Sequence, residues 1–420
     1  MPMSHMFEQR LHPILREVVR EFGTPFHIYD EEGIIDTGEL LKETFRDVYG
    51  FREYFAVKAT PNLEILKIVQ KLGFGFDCSS IAELIMSRSI SASGLDIMFT
   101  SNNTTVEEFK VAGADGGCIL NLDDITLIDK VPVFPELICF RYNPGPRRTG
   151  NRMIGDPVES KYGVRHEQIV EAYRRAIERG AKTFGLHTMI CSNQLDYRYM
   201  VETVKMLLEV TEMVSMQLGI TFQFINVGGG IGIPYKPDDR PFNMTAFAGE
   251  SRTLLEQFEQ RAGYTPRFYM EAGRAITGPH GALVVSVTNR MSKYREYVGV
   301  DACMSSLIRP ALYGAYHHIT VLNGESRAVE TVDVSGSLCE NNDKFAIGRS
   351  LPKVDEGDIL LIHDTGAHGY AMGFNYNGRL RPKELLLCRD GQVKLIRREE
   401  TVADYLRTFE FEPRVIRPVG

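Results

Sequence analysis

The feature that most limits the fold is an alternation of two textures. From about residue 50 to 275, short β-branched or aromatic runs take turns with stretches of helical spacing. The runs are Tyr54–Lys58, Gly75–Cys78, Asp96–Thr100, Cys118–Leu122, Leu137–Tyr142, Thr183–Met189, Phe222–Val227 and Arg267–Glu271. Between most of them, Asn62–Leu72, Ser80–Arg88, Thr104–Ala112, His166–Arg179, Tyr199–Gln217 and Met244–Arg261 repeat apolar residues at helical intervals. Regular strand–helix alternation implies a parallel sheet, and eight units fit a closed (β/α)8 TIM-like barrel. An open doubly wound sheet is the competing arrangement, but eight units favour closure.

After Gly281 the texture changes. Leu283–Thr288, Tyr297–Val300, His318–Leu322, Val329–Val334, Asp358–His363, Glu384–Cys388 and Val393–Arg397 read as strands with few helical stretches between them. Asn323-Gly324 and Asp390-Gly391 are hairpin-turn signals. The expected division is a barrel over 35–280 and an all-β domain, Greek-key or sandwich-like, over 281–420 together with 1–34. The run Pro25–Tyr29 suits a strand of either unit, and a short helix is expected over Val402–Phe409.

Charge and cysteine usage narrow the function. Lys+Arg 48 against Asp+Glu 55 gives a net charge of −7 without basic blocks, which argues against a nucleic-acid partner. No apolar run approaches the ~18 residues a membrane helix needs. The opening Met-Pro-Met-Ser-His-Met-Phe-Glu-Gln-Arg carries no apolar stretch of the signal-peptide kind. Seven scattered cysteines form no CxxC pair or metal knuckle, so a reducing compartment is expected and no metal. The chain reads as a cytoplasmic enzyme without nucleic-acid or membrane partners.

Barrel active sites lie at the C-terminal strand ends. Those ends hold Lys58, Asp77, Ser101, Asn121, Arg141, His187, the Gly228-Gly229-Gly230 run and Glu271. Lys58 ends an apolar strand, where burial would lower its pKa and suit a Schiff-base amine; a lysine snorkelling to the rim fits equally well. The glycine run fails the GxGxxG spacing but can turn backbone N–H groups to a phosphate, or form a tight turn. Glu271 opens Glu-Ala-Gly-Arg, which reads as a cofactor-facing acid with a phosphate-facing arginine or as a surface ion pair. Cys339-Glu340 taken alone reads as a structural or exposed thiol. His317 and His318 need no ligand role, and the methionines within Met206–Met216 are core.

In order along the chain stand the first-strand lysine, Gly-Phe-Asp-Cys-Ser-Ser (75–80), Arg-Tyr-Asn-Pro-Gly (141–145), Gly-Gly-Gly (228–230) and Glu-Ala-Gly-Arg (271–274). The block 301–317, Cys-Glu-Asn-Asn-Asp (339–343) and Asn-Tyr-Asn-Gly-Arg-Leu-Arg-Pro (375–382) follow. Together, from about residue 20 to 400, they resemble the fold-type III pyridoxal-phosphate-dependent decarboxylases, with an alanine-racemase-like barrel, and diaminopimelate decarboxylase in particular. The resemblance implies pyridoxal 5'-phosphate as cofactor and a homodimer with sites shared across its interface. Lys58 would carry the cofactor and Glu271 would pair with its ring nitrogen. Gly229, Gly230, Gly273, Arg274 and Ser192 would surround the phosphate, with Tyr376 also cofactor-binding. Asp77, Arg141 and His187 would hold the lysine and ring environment. Cys339 of the other subunit would return a proton to the α-carbon.

The same resemblance frames the substrate. Diamine-producing relatives such as ornithine decarboxylase need one acid for a distal amine, a part Glu340 would take here. Arg309 and Tyr313 add groups suited to a distal carboxylate, and both together describe meso-diaminopimelate, decarboxylated to L-lysine in lysine biosynthesis. Three positions depart from the family pattern. Met189 stands where an imidazole stacks on the cofactor, His368 where a phosphate- and substrate-facing tyrosine stands, and Ala272 replaces a proline. A sibling decarboxylase acting on another amino acid (ornithine- or lysine-like, or one from a siderophore or antibiotic pathway), a racemase and a non-catalytic relative are the alternatives.

Overall fold

Side-chain caps start the helices that follow six of the strands. Asp30, Asn62, Ser80, Thr105, Asp196 and Asn243 accept hydrogen bonds from backbone N–H groups in the first turns that follow them. The structure, a computed structural model, describes residues 3–150 and 155–410. The chain begins with α1 (His5–Leu11), α2 (Leu15–Phe22), β1 (Phe26–Asp30) and α3 (Glu31–Phe45). The barrel half then runs β2 (Arg52–Ala56), α4 (Leu63–Lys71), β3 (Gly75–Cys78), α5 (Ile81–Ser89), β4 (Gly94–Phe99), α6 (Val106–Gly113), β5 (Cys118–Leu122) and β6 (Leu137–Asn143). It continues with β7 (Val164–Arg165), α7 (Ile169–Glu178), β8 (Thr183–His187), α8 (Tyr197–Leu218), β9 (Phe222–Asn226), α9 (Met244–Ala262), β10 (Arg267–Met270) and α10 (Gly273–Thr277).

Eight parallel strands close in the order β2-β3-β4-β5-β6-β8-β9-β10, with β10 pairing back to β2 through Tyr269 and Arg52. Two-residue β7 is a side branch of β6. Tyr54, Met98, Ile119, Cys139, Phe224 and Tyr269 fill the interior, so the barrel is a packed core and not a pore. Phe224 and Tyr269 stack there with ring centroids 4.5 Å apart. This plug leaves the C-terminal rim as the place for a cavity.

The second unit comprises β11 (Gly281–Ser292), β12 (Glu296–Val300), α11 (Arg309–Tyr313), β13 (Ile319–Val321), β14 (Val329–Ser335), β15 (Lys344–Pro352), β16 (Ile359–Ile362), β17 (Lys383–Leu387), β18 (Val393–Arg397) and α12 (Val402–Leu406). Its strands form one sheet ordered β15-β14-β12-β11-β1-β17-β18, with β16 on β11 and β13 on β16. β1 lies between β11, antiparallel, and β17, parallel. Alternate residues of β11 enter opposite cores: Leu283, Val285 and Val287 on one face, Ala282 and Val284 on the other. The second core is covered by Phe7, Leu11, Leu15 and Val18 of α1 and α2.

Several expectations change here. The 34/35 boundary falls inside α3, because Asp30 ends β1 and caps that helix at once. Asp390-Gly391 does turn a hairpin between β17 and β18. Asn323-Gly324 turns the chain but joins no paired strands, since β13 pairs with β16 and β14 with β12 and β15. Strand β15 went unread because Gly348, at φ 57°, and Pro352 interrupt its pattern.

Candidate active site

The C-terminal rim of the barrel opens into a cavity of about 320 Å³. Its wall brings together Lys58, Met189, Ser192, Gly229, Gly230, Glu271, Gly273 and Arg274 from the barrel, and Arg309, Tyr313 and His368 from the second unit.

Strand β2 stops at Ala56, and a single 3-10 turn over Val57–Ala59 delivers Lys58. Its side chain is 48% exposed, and Nζ donates to Asp77 Oδ2 at 3.1 Å. The expected fall in the lysine's pKa does not occur. The Asp77 charge is the largest influence and raises it, burial opposes, and Glu271 adds to the rise. Asp77 itself is pushed up to about 6 by burial and by Glu271, against the pull of Lys58. The proton therefore rests on Lys58 at neutral pH, with Asp77 as its carboxylate partner.

Glu271 follows β10 and is buried. Its Oε1 accepts from Asn226 Nδ2 at 2.9 Å and faces His187 Nε2 at 3.2 Å. Burial would raise this carboxyl, but His187, Lys58 and Arg141 together hold it below its ordinary range. The result is a fixed negative charge on the cavity floor. Its backbone is pinned by Glu271 N donating to Gly228 O and Ala272 N donating to Glu53 Oε1, at 2.9 and 2.6 Å.

The glycine run is required by space. A Cβ at Gly229 would lie 2.7 Å from Glu271 O, and Gly230 has φ +103° with a Cβ position 2.7 Å from Cys191 Sγ. Across the cavity, Arg274 donates through Nη1 to the Tyr235 hydroxyl at 2.6 Å and through Nη2 to Ser192 Oγ at 3.3 Å. Arg309 donates through Nη1 to the same hydroxyl at 2.7 Å and to His317 Nε2 at 3.1 Å. Burial and Arg309 lower His317 to about 3, and burial holds His368 well below its ordinary range, so both imidazoles are neutral.

The remaining residues lie beneath or apart. Asp77, Arg141 and His187 are buried below the wall, Arg141 against Asp123 at 3.5 Å and over the Tyr162 ring at 4.1 Å. Cys339 is exposed, and neither it nor Glu340 lines the cavity of its own chain. Tyr376 is 49% exposed and is not brought to the cavity, because it begins a surface turn with Asn377 in left-handed backbone. Tyr235 and His317 were missed as site residues. Both touch Arg309, and neither Pro234-Tyr235-Lys236 nor the His317-His318 pair carries a local signal for that contact.

Residues 37–278 match the family described as "Pyridoxal-dependent decarboxylase, pyridoxal binding domain". The chain belongs to the pyridoxal-dependent decarboxylases. It is 46% identical over 413 residues to a protein named TabA from Pseudomonas amygdali pv. tabaci, covering 98% of this chain and 97% of that protein. It is 34% identical to diaminopimelate decarboxylase from Methanothermobacter thermautotrophicus, with 96% and 95% of the two chains covered. Among solved structures, diaminopimelate decarboxylase from M. jannaschii superimposes with a TM-score of 0.88 at 30% identity, covering 94% of each chain. The cofactor of this family is pyridoxal phosphate, and the site fits it. An accessible amine, a buried ionised carboxylate and a glycine-lined wall with Arg274 complement an aldehyde, a pyridinium and a phosphate. Among the described residues no helix is long and apolar enough to cross a membrane.

Proposed function

We propose that this decarboxylase acts on an amino acid carrying a carboxylate at its far end, meso-diaminopimelate first, to give CO2 and L-lysine. The observation that carries this reading is Arg309. It is 1% exposed, it lies on the cavity wall, and among the described residues it has no carboxylate partner. Both bonds it makes use Nη1, so the Nε–Nη2 edge has no protein acceptor among the described residues. A buried cation needs a counter-charge, and this planar edge matches a carboxylate in two-point contact.

In this reading Lys58 carries the cofactor, and Asp77 holds that lysine in place through the 3.1 Å contact. Glu271 keeps the ring nitrogen protonated, with His187 and Arg141 fixing that charge and Met189 packing at the ring. Ser192, Gly229, Gly230, Gly273 and Arg274 take the phosphate, with His368 beside them. Pyridoxal phosphate, when bound, supplies the electron sink for the pair left by departing CO2. Tyr313 and Arg309 orient the far end of the substrate. Cys339 and Glu340 serve the cavity of a second copy in a homodimer, Cys339 Sγ protonating the α-carbon and Glu340 meeting the distal amine. Their position outside their own cavity supports this.

A sibling decarboxylase acting on another amino acid with a polar far end is the second reading. It is favoured by Met189 and His368 in the wall and by 46% identity to TabA against 34% to a diaminopimelate decarboxylase. Offering holoenzyme a panel of amino acids and measuring CO2 and products separates the two. Arg309→Met should cost about 10- to 100-fold in kcat/KM for diaminopimelate, from a charge-assisted bond of ~1.5–3 kcal/mol. Preference for a simple diamino acid would refute the far-end carboxylate while leaving the decarboxylase reading intact.

A further inference from the structure

Arg309 is held in an unusual way for a buried guanidinium. Its two holders, the Tyr235 hydroxyl and the His317 imidazole, are both uncharged acceptors, at 2.7 and 3.1 Å. His317 is locked in the accepting form, because its Nδ1–H donates to His363 O at 2.7 Å and leaves Nε2 without a proton. The Tyr235 ring lies beneath the guanidinium, 4.7 Å from Cζ to the centroid, and meets the His317 ring edge-on at 5.1 Å. Tyr235 is 6% exposed and His317 0%, so neither is free to swing away. A carboxylate at either position would hold Arg309 as firmly but would cancel its charge.

We infer that Tyr235 and His317 are specificity-positioning residues, which fix Arg309 through neutral acceptors and so reserve its charge for an anion at the far end of the substrate. The inference rests on the reading of Arg309 given above. It assigns selectivity to two residues that touch no part of the substrate. It also ties two subsites together. The same Tyr235 oxygen accepts from Arg274 at 2.6 Å, so two like charges share one neutral oxygen, and an anion on either guanidinium relieves the repulsion felt by the other.

The test uses two probes that differ only in a far-end carboxylate: 2-aminopimelate and norleucine. Holoenzyme is titrated with each, and the change in cofactor absorbance gives two dissociation constants. Wild type should bind 2-aminopimelate about tenfold or more tightly. Tyr235→Phe keeps the ring packing and removes the shared acceptor, and should shrink that ratio about three- to tenfold. Any loosening of the cofactor through Arg274 weakens both probes alike, so the ratio isolates Arg309. At the second holder, His317→Gln supplies a neutral acceptor of similar reach and should retain most of the preference. His317→Glu supplies a charged one and should bring the ratio close to one. A wild-type ratio near one would overturn the reading of Arg309 and this inference with it. A normal wild-type ratio left intact by Tyr235→Phe, or by a folded His317→Glu, would overturn the inference alone.

Discussion

Gly230→Ala and Gly249→Ala make the same chemical change, and the structure assigns them opposite signs. At Gly230 the backbone has φ +103°, and the new methyl would sit 2.7 Å from Cys191 Sγ and 2.8 Å from Cys191 O. An alanine held in that sparsely populated region costs roughly 1–3 kcal/mol, and overpacking adds about 1–3 kcal/mol. A destabilisation of about 2–6 kcal/mol follows, unless the chain moves Cys191 and the wall of the cavity with it. Gly249 lies on the exposed side of α9, and its methyl would meet nothing within 4 Å. Removing the conformational freedom of a helical glycine there should stabilise by about 0.5–1 kcal/mol. Differential scanning calorimetry of the two variants, with and without added pyridoxal phosphate, reads both signs. Gly230→Ala should melt several degrees lower and retain cofactor poorly; Gly249→Ala should melt slightly higher with normal cofactor content. A Gly230→Ala protein that melts and binds cofactor like wild type would refute the claim that the glycine run exists to let backbone approach.

Three further outcomes can be checked independently. Lys58→Ala should lose the visible absorbance of bound cofactor, and undiminished absorbance after dialysis would remove Lys58 from its role. Mixing inactive Lys58→Ala with inactive Cys339→Ala should restore activity, since some mixed dimers assemble one intact site; no recovery after verified subunit exchange would contradict the shared site. Asp364 is buried, with Oδ1 accepting from Met3 N at 2.8 Å and Oδ2 without a hydrogen-bond partner among the described residues, and burial raises it to about 7. Because the folded state holds this proton more tightly than the unfolded chain, stability should fall as pH rises from about 4 to 7. Asp364→Asn should flatten that part of a denaturation series run at pH 5 and pH 8.

How much the sequence disclosed depended on the range of the signal. The eight barrel strands were readable because each is a local run, and the long helices because their apolar stripe repeats within one segment. Lys58, Glu271 and the glycine run were visible as strand-end residues. The pKa of Lys58 was read with the wrong sign because its dominant partner, Asp77, sits on the next strand, and no local pattern reports a 3.1 Å contact across a sheet. Helices α1 and α2 carry a clear stripe in Phe7, Leu11, Leu15 and Val18, but Pro13 breaks it into pieces too short to stand out. Tyr235 and His317 were beyond reach for a different reason. Their roles depend on Arg309 and Arg274 converging from separate units of the fold, which is a property of the assembled molecule.

The place of β1 in the second sheet carries a consequence for synthesis. Ile28 pairs with Ala282 on one side and Leu385 on the other, so its nearer partner is translated roughly 250 residues later. At ~5–20 residues per second a nascent chain spends about 12–50 s with this strand made and both its edges open. The entire barrel emerges and can close within that interval, as a finished body inside an unfinished loop. The first strand off the ribosome is thus among the last to find its neighbours, and Phe-His-Ile-Tyr-Asp is the stretch on which a holdase would act.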